Sequence, residues 1–275
     1  MSQSFNDFIR AYGTEPPLGI CADKFSRWGK NSRYAAILLP DHRAGYFGDF
    51  TQDIHARWFE NVNDLSAAEY ARSKEELQSL RQAQEAAQNL LNADASKKAK
   101  KFFSDALKAS EDHPYLVRKR VKPYGIKQVN GNLLIPVYSI DGQIQSIQFI
   151  NEAGEKRFMK NGKMKGGHHF IGDLDLSKPV FIAEGYATAV SVYEDTQCLT
   201  LVAFNAGNLI NVAKDLRDYL PKVEIVIAGD CDEVGMRCAE QASKAVNGRA
   251  LIPDFGENPE CLSDWNDYFN RGVAA

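Results

Sequence analysis

Residues 178–186, KPVFIAEGY, and residues 223–232, VEIVIAGDCD, are the two stretches that decide the fold of this chain. Each is a short apolar run, typical of a buried strand, that ends in carboxylates just before a helical pattern. Ligands of open α/β sheets bind outside the carboxyl ends of the strands. We therefore expect Glu184, Asp230 and Asp232 to meet at one edge of a sheet, where their oxygens suit a hard divalent cation such as Mg²⁺.

The sequence around these two stretches alternates between strand and helix patterns. Strands are predicted at 179–183, 199–204, 224–228 and 250–252, and helices at 186–193, 209–220 and 234–246. Such alternation is typical of a parallel sheet with right-handed crossovers. Residues 177–275 are therefore predicted to form one α/β domain.

Residues 1–63 are predicted to form a small β-rich unit. Apolar runs at 34–39 and 45–50 indicate two strands joined by a turn at Asp41-His42. Aromatic residues are frequent between Phe25 and Phe59. These rings either build the core of the unit or stack on unpaired nucleic acid bases, and the sequence leaves both interpretations open.

Two segments with different patterns follow. Residues 64–112 contain no Gly or Pro and many strong helix formers, which predicts a helical connector with a break near 92–94 and an end at His113-Pro114. Residues 113–176 contain turn pairs such as Asn130-Gly131 and Asp141-Gly142, which predict antiparallel strands in a basic α+β subdomain.

Charge is distributed unevenly along the chain. The whole sequence has 33 Lys and Arg against 36 Asp and Glu, but residues 1–170 have a net charge of +6 and residues 171–275 a net charge of −9. A basic half that binds phosphate backbone and an acidic half that binds metal would give this pattern, as would two solvated surfaces.

Several protein classes are disfavoured by the sequence. The five cysteines form no CxxC pair, which argues against a disulfide framework or a zinc ribbon. No apolar run approaches the roughly 20 residues that a membrane span needs, and the N-terminus lacks the order of a secretory signal, so a cytoplasmic location is expected. Residues 160–167, KNGKMKGG, form a basic glycine-rich loop that does not match the P-loop pattern. It either binds phosphates or is a solvated hairpin tip.

A strand-end Glu184-Gly185 combined with Asp230-Cys231-Asp232 after a later strand resembles the Toprim domain of bacterial-type DNA primases, type IA and II topoisomerases and OLD-type nucleases. The resemblance implies that the acidic residues bind Mg²⁺ or Mn²⁺. It also implies that Glu184 acts as a general acid or base. The fold class that follows is α/β, with a Toprim parallel-sheet domain after the basic subdomain, the connector and the N-terminal unit.

The upstream sequence is similar to the polymerase core of primases of the phage and conjugative-plasmid type, over roughly residues 113–270. The matching elements are Tyr115-Leu116, Lys119-Arg120, Leu134-Ile135-Pro136, Asp141-Gly142, Lys156-Arg157-Phe158, Lys165-Gly166, Glu184-Gly185-Tyr186 and Ser263-Asp264-Trp265-Asn266-Asp267. The zinc ribbon of many primases has no counterpart in these cysteines.

This resemblance implies roles for individual residues. The catalytic residues are Glu184, Asp230 and Asp232, and the metal ligands are these three with Asp264 and Asp267, although Asp264 also suits a helix N-cap. The nucleotide-binding residues are Lys156, Arg157, Lys163, Lys165, Asn205, Gly207 and Asn208. The DNA-binding residues are Arg118, Lys119, Arg120 and Lys122.

The function expected from the sequence is a DNA primase that synthesises short RNA primers by metal-dependent nucleotidyl transfer. Its partners would be a single-stranded DNA template, ribonucleoside triphosphates and either a replicative helicase or an initiation factor, with no membrane. Two alternatives stay open: a Toprim nuclease that uses the same metals, and a non-catalytic single-stranded DNA-binding protein with a primase-like fold.

Overall fold

The computed structural model describes residues 4–20, 24–49, 52, 54–60, 67–256 and 262–271. The chain divides into two compact units, Met1–Gln88 and Asn89–Ala275. The predicted boundary at 63/64 lies outside the described residues. Within the described part of the chain, no helix is long and apolar enough to cross a membrane.

The first unit contains a four-stranded antiparallel sheet. Its strands are β1 (Ser26–Trp28), β2 (Tyr34–Leu38), β3 (Ala44–Asp49) and β4 (Ile54–Phe59), paired in chain order, and helix α1 (Phe5–Arg10) precedes them. The structure confirms the strands predicted at 34–39 and 45–50, although Phe50 lies outside the described residues. Phe47 and Trp58 are buried against Phe5 and Ile9 of α1, so these two rings belong to the core.

A single continuous helix, α2 (Ala67–Asp105), follows. The predicted break near 92–94 is therefore wrong. The segment contains no Gly or Pro, and Asp94 instead supports the helix through an ion pair with Lys98 one turn later (2.6 Å). The predicted helix end at His113-Pro114 is also wrong, because α2 stops at Asp105 and this pair starts a new helix.

That new helix is α3 (Pro114–Lys119), which carries basic residues in its last turn. The ring nitrogen Nδ1 of His113 accepts a hydrogen bond from the backbone N–H of Tyr115 (3.3 Å) and so caps the helix. Pro114 occupies the first helical position, where its missing N–H costs nothing.

An antiparallel sheet of five strands is formed by one strand before α3 in the chain and four strands after it. Its strands, paired in chain order, are β5 (Leu107–Lys108), β6 (Lys127–Val129), β7 (Asn132–Tyr138), β8 (Ile144–Asn151) and β9 (Lys156–Phe158). The predicted turns are present. Asn130 and Gly131 both have positive φ (45° and 69°), as a tight hairpin turn requires.

The third sheet contains β10 (His169–Ile171), β11 (Val180–Ala183), β12 (Thr200–Val202), β13 (Ile225–Ala228) and β14 (Arg249–Leu251), in the order β10-β12-β11-β13-β14. Strands β11 to β14 are parallel, and β10 is an antiparallel edge strand that the sequence did not predict. The helices are α4 (Tyr186–Thr196), α5 (Leu209–Tyr219), α6 (Glu233–Ala245) and α7 (Trp265–Asn270). The predicted α/β fold class is confirmed.

The five-stranded antiparallel sheet packs on both faces. On one face, Leu134 and Ile147 pack against Ala99 of α2. The other face contributes Leu133 and Ile150 to a core that also contains residues of β11, β12, β13 and α4. Because the two sheets share this core, β9 is held in a fixed position beside the carboxyl ends of the parallel strands.

Candidate metal centre and its basic rim

Glu184 is the residue that follows strand β11. The next residue, Gly185, is the N-cap of helix α4, and the backbone amide of Ala206 favours the charged form of the Glu184 carboxylate, which lowers its pKa. Burial raises the pKa of Glu184, and the charges of Asp232 and Asp264 add to this rise while Lys156 opposes it. The four charged side chains therefore influence one another at the same edge of the sheet.

Asp230 follows the neighbouring strand β13 and is the most perturbed carboxyl of this group. Burial, and next the negative charge of Glu184, raise the pKa of Asp230 to about 7, and Asp264 and Asp232 contribute further. Its Oδ1 atom is buried and has no hydrogen-bond partner. A buried oxygen without a partner is costly, and such atoms mark sites where an ion or a substrate binds.

Asp232 is placed by the turn between β13 and α6. Its side chain is exposed and caps α6, since an oxygen accepts a hydrogen bond from the backbone N–H of Gly235 (2.6 Å). The chain is close-packed here: a Cβ added at Gly235 would lie only 2.7 Å from the backbone oxygen of Asp230. Glycine at this position therefore lets the turn bring both aspartates to the edge of the sheet.

The donor set suits a hard divalent cation. Among the residues that the structure describes, no group of three or more Asp, Glu, His or Cys side chains forms a preformed metal-binding cluster. Mg²⁺ does not require one, because it is usually bound by one or two carboxylates and keeps several waters. Asp230, with its unpartnered oxygen, and Glu184 beside it meet that requirement.

Asp264 and Asp267 have their oxygens engaged within the protein. Asp264 caps α7 by accepting a hydrogen bond from the backbone N–H of Asp267 (2.9 Å). Asp267 accepts one from the N–H of Ser263 (3.1 Å). The ammonium of Lys119 lies 3.6 Å from Asp267 and 4.0 Å from Asp264. Their predicted role as metal ligands stays a prediction, and their observed role is to hold α3 and α7 together.

A cleft of about 310 Å³ opens beside the carboxylates. Its lining includes Tyr115, Arg118, Lys119, Lys156, Gly185 and Asp264. A Cβ added at Gly185 would lie 3.6 Å from the Lys156 ammonium, which shows how closely this cation approaches the strand end. The cleft therefore brings three cationic side chains next to the carboxylates at the strand ends, an arrangement that can hold a phosphate beside a metal.

The remaining predicted DNA-binding residues lie at and after the end of α3. Arg120 ends this helix in a left-handed conformation (φ 53°). Lys122 is exposed, and its backbone carbonyl accepts a hydrogen bond from the hydroxyl of Tyr186 (3.0 Å). Arg118 is held by the carbonyl of Glu152 (3.1 Å). Together with Lys119 these residues form a basic segment next to the cleft.

The predicted nucleotide-binding cations are separated by the structure. Lys156 points to the carboxylates, whereas Arg157 lies with its guanidinium 5.6 Å from the ring of Phe149, on the other face of the sheet. Lys163 lies near Asp141, whose pKa is lowered mainly by a hydrogen bond with Ser139 and to a smaller extent by the charges of Lys100 and Lys163. Lys165 is exposed. Only Lys156 is brought to the carboxylates.

Asn208 has a structural role that its sequence position did not indicate. Its amide is buried, accepts a hydrogen bond from Gly166 (2.9 Å) and donates to the carbonyls of Gly167 and Ala203 (2.9 Å each). It thus holds the basic glycine-rich loop against the parallel sheet. Asn205 caps the short 3₁₀ helix that includes Gly207 by accepting from the N–H of Asn208 (3.0 Å).

Two contributors to the site have no sequence signal of their own. The backbone amide of Ala206, in the loop after β12, lowers the pKa of Glu184. The side chain of Asn266 is buried and donates to the carbonyl of Lys119 (2.8 Å) and to the hydroxyl of Ser191 (2.9 Å). The element 263–267 had been matched as a motif, but the role of Asn266 became visible only in three dimensions.

The parallel sheet with carboxylates at its strand ends defines the class of this protein. Residues 179–275 match the Toprim domain family and form a Toprim domain. Two curated relatives, both DNA primase TraC of Escherichia coli, are 31% identical over 247 residues (84% of this chain and 23% of the relative) and 32% identical over 237 residues (79% and 16%). The predicted resemblance to Toprim-domain primases of the plasmid type is confirmed.

The extent of these similarities is uneven. The chain spans less than a quarter of the length of either relative. A solved structure of the Aquifex aeolicus primase, with its zinc-binding and RNA polymerase domains, covers 97% of this chain and 79% of that chain at a TM-score of 0.43 and 11% identity.

Proposed function

We propose that this protein is a DNA primase that joins ribonucleotides on a single-stranded DNA template. The observation that carries the proposal is the buried, unpartnered oxygen of Asp230, at a strand end next to Glu184 and beside a cleft that is lined by Arg118, Lys119 and Lys156. The relatives named DNA primase support it, because their similarity extends over 84% and 79% of this chain.

Asp230, Glu184 and Asp232 would hold the metal. When bound, Mg²⁺ or Mn²⁺ would neutralise the phosphates and lower the pKa of the attacking 3′-hydroxyl. Glu184 is suited to accept the proton from that hydroxyl, because burial raises the pKa of its carboxyl towards the working pH. Lys156 would pair with a phosphate oxygen of the nucleotide and so orient it for in-line attack.

The template is expected to follow the basic segment formed by α3 and the residues after it. Arg118, Arg120 and Lys122 would contact template phosphates, since cations on one segment bind the backbone without reading its sequence. Lys119 would be shared between the template and the acidic pair Asp264 and Asp267. A replicative helicase or an initiation factor would recruit the protein to its start sites.

Priming on circular single-stranded DNA tests this function. The protein is incubated with the DNA, labelled ribonucleotides and Mg²⁺ or Mn²⁺, and short RNA products are separated on a gel. Asp230→Asn should abolish the products, whereas Asp218→Asn, a change of the same kind at an exposed site on α5, should not. A cooperative thermal unfolding transition in both variants would establish that each is folded.

The other outcomes identify the alternatives. Shortened DNA without RNA would replace the primase with a Toprim nuclease. Retained DNA binding with neither RNA nor cleavage would replace it with a non-catalytic DNA-binding protein.

A further inference from the structure

Strand β9 presents two different side chains to the metal centre. Lys156 and Phe158 are two residues apart, so they lie on the same face of the strand, and Arg157 lies on the other. The register with β8 pairs Lys156 with Ile150, and Ile150 belongs to the core shared with the parallel sheet. The face that carries Lys156 and Phe158 is therefore the face turned to the carboxyl ends of the parallel strands.

The ring of Phe158 is exposed although an aromatic residue lies directly behind it. It is 38% exposed, and it forms a T-shaped pair with the ring of Phe204, with the centroids 5.9 Å apart and the planes at 83°. Phe204 is buried. The ring of Phe158 therefore packs against Phe204 on one side and is open to solvent on the other. A braced ring with an open side can accept a second flat group by stacking.

The backbone of Phe204 is strained. Its φ is 70°, in the left-handed region that bulky residues rarely occupy. Strain of this kind persists where the surrounding structure holds a residue in place, and it is concentrated at functional sites. The same loop contains Ala206, whose backbone amide lowers the pKa of Glu184, so the strained residue lies in the loop that connects the ring behind Phe158 with the metal centre.

The position of Lys156 shows how far the ring of Phe158 lies from the carboxylates of the metal centre. Its positive charge acts on both Glu184 and Asp230. Phe158 is one same-face step further along the strand, about 7 Å by the rise of a β-strand. A phosphate at Lys156 and a flat group at Phe158 would therefore be separated by about the length of a sugar.

We propose that Phe158 is a stacking platform for the base of the nucleotide whose phosphates lie at the metal centre. The proposal rests on the proposed function, because it assigns the base subsite of that same site. Stacking on an aromatic ring tolerates every base, since each base has a π face. Phe158 is a binding residue in this scheme and takes no part in proton or metal chemistry.

Equilibrium binding of fluorescent ribonucleoside triphosphates in the presence of Mn²⁺ tests the platform. Phe158→Ala and Phe158→Leu should weaken binding of all four nucleotides about 5- to 100-fold. Phe158→Trp should bind at least as well as the wild type. Leucine keeps most of the apolar volume without the π face, so equal losses in the Ala and Leu variants separate stacking from packing.

Phe102 provides a matched control. Its ring is 42% exposed and meets Phe149 at the same centroid separation, 5.9 Å, but it lies on α2, on the other face of the sheet. Phe102→Ala should leave nucleotide binding unchanged. Thermal unfolding identifies any variant that fails to fold, and Phe158→Trp then decides, because a weaker-binding Trp variant overturns the platform.

The platform and the proposed function can fail separately. Wild-type binding in Phe158→Ala or Phe158→Leu overturns the platform whether or not RNA is made. If the wild type binds nucleotides through Phe158 but makes no RNA, the platform stands and the primase function falls. If the wild type binds no nucleotide at all, both fall.

Discussion

Two acidic pairs lie near each other in the Toprim domain and differ in how their oxygens are used. Glu184 and Asp230 follow adjacent parallel strands, and Asp230 retains a buried oxygen without a partner. Asp264 and Asp267 begin α7, and each accepts a backbone hydrogen bond while Lys119 lies against both. Carboxylates that accept a backbone hydrogen bond and face a lysine stabilise the fold, whereas a carboxylate with a buried, unpartnered oxygen can bind something else.

The comparison predicts its largest effect in activity. Asp230→Asn should lower primer synthesis on the order of 10²- to 10⁴-fold, because metal binding contributes several kcal/mol of transition-state stabilisation. Asp264→Asn should keep most of the activity, since asparagine also caps helices. Initial rates of RNA synthesis at saturating nucleotide measure both. Equal losses in the two variants would show that the two pairs act as one site.

The next effect is on stability as a function of pH. Burial raises the pKa of Asp230 to about 7, so the metal-free folded protein keeps a proton that the unfolded chain releases above about pH 4. The stabilisation is therefore complete below about pH 4 and is lost as pH rises through about 7. With EDTA at pH 8, Asp230→Asn should unfold about 5 °C above the wild type, and the difference should vanish near pH 4.

A pH-independent difference would contradict the raised pKa. The corresponding variant of the other pair, Asp264→Asn, is measured under the same conditions. Addition of Mn²⁺ at pH 8 should stabilise the wild type more than Asp230→Asn, because only the wild type offers the full donor set. Calorimetry of the two variants, with and without metal, separates the proton from the metal.

A smaller effect is expected from the amide that ties the engaged pair to the basic helix. Asn266→Ala should lower the free energy of unfolding by about 2 kcal/mol, because it leaves the carbonyl of Lys119 and the hydroxyl of Ser191 without a buried donor. Urea unfolding measures the change. Asn211→Ala, which removes one long and exposed hydrogen bond (3.4 Å), is the control and should change stability by less than about 0.5 kcal/mol.

The smallest effect concerns the cap itself. Asp264→Ala should lower the free energy of unfolding by about 1 kcal/mol, the usual cost of losing an N-cap side chain. Asp264→Asn should restore most of it. If both variants were equally destabilised, the ion pair with Lys119 would be more important than the cap.

The parallel strands and their carboxylates were predictable because each depends on local sequence. An uninterrupted apolar run indicates a buried strand, and the residue at its end is placed by the strand itself. The same logic gave Glu184, Asp230 and Asp232. It failed for β10 (His169–Ile171), because no apolar run precedes this strand, which follows Gly166, Gly167 and His168 and pairs with β12 at the sheet edge.

Other features depend on contacts that sequence does not encode locally. Lys163 and Lys156 are close in sequence and equally basic, yet one lies near Asp141 and the other near Glu184, because the turn at Met159–Gly162 separates them. The amide of Asn208 looked like a ligand group at a strand end, but the glycine-rich loop that engages it is about 40 residues away in sequence. The orientation of such side chains follows from tertiary packing.

The amide of Asn266 also has a consequence for the order in which the protein is made. Asn266 donates hydrogen bonds to Lys119, which is 147 positions earlier in the chain, and to Ser191, which is 75 positions earlier. A ribosome releases α3 and α4 well before α7. On the nascent chain, α3 therefore lacks its hydrogen bond from Asn266 until α7 has been synthesised. Contacts between residues so distant in sequence form late in folding. The cleft is therefore expected to be among the last parts of this unit to assume its final shape.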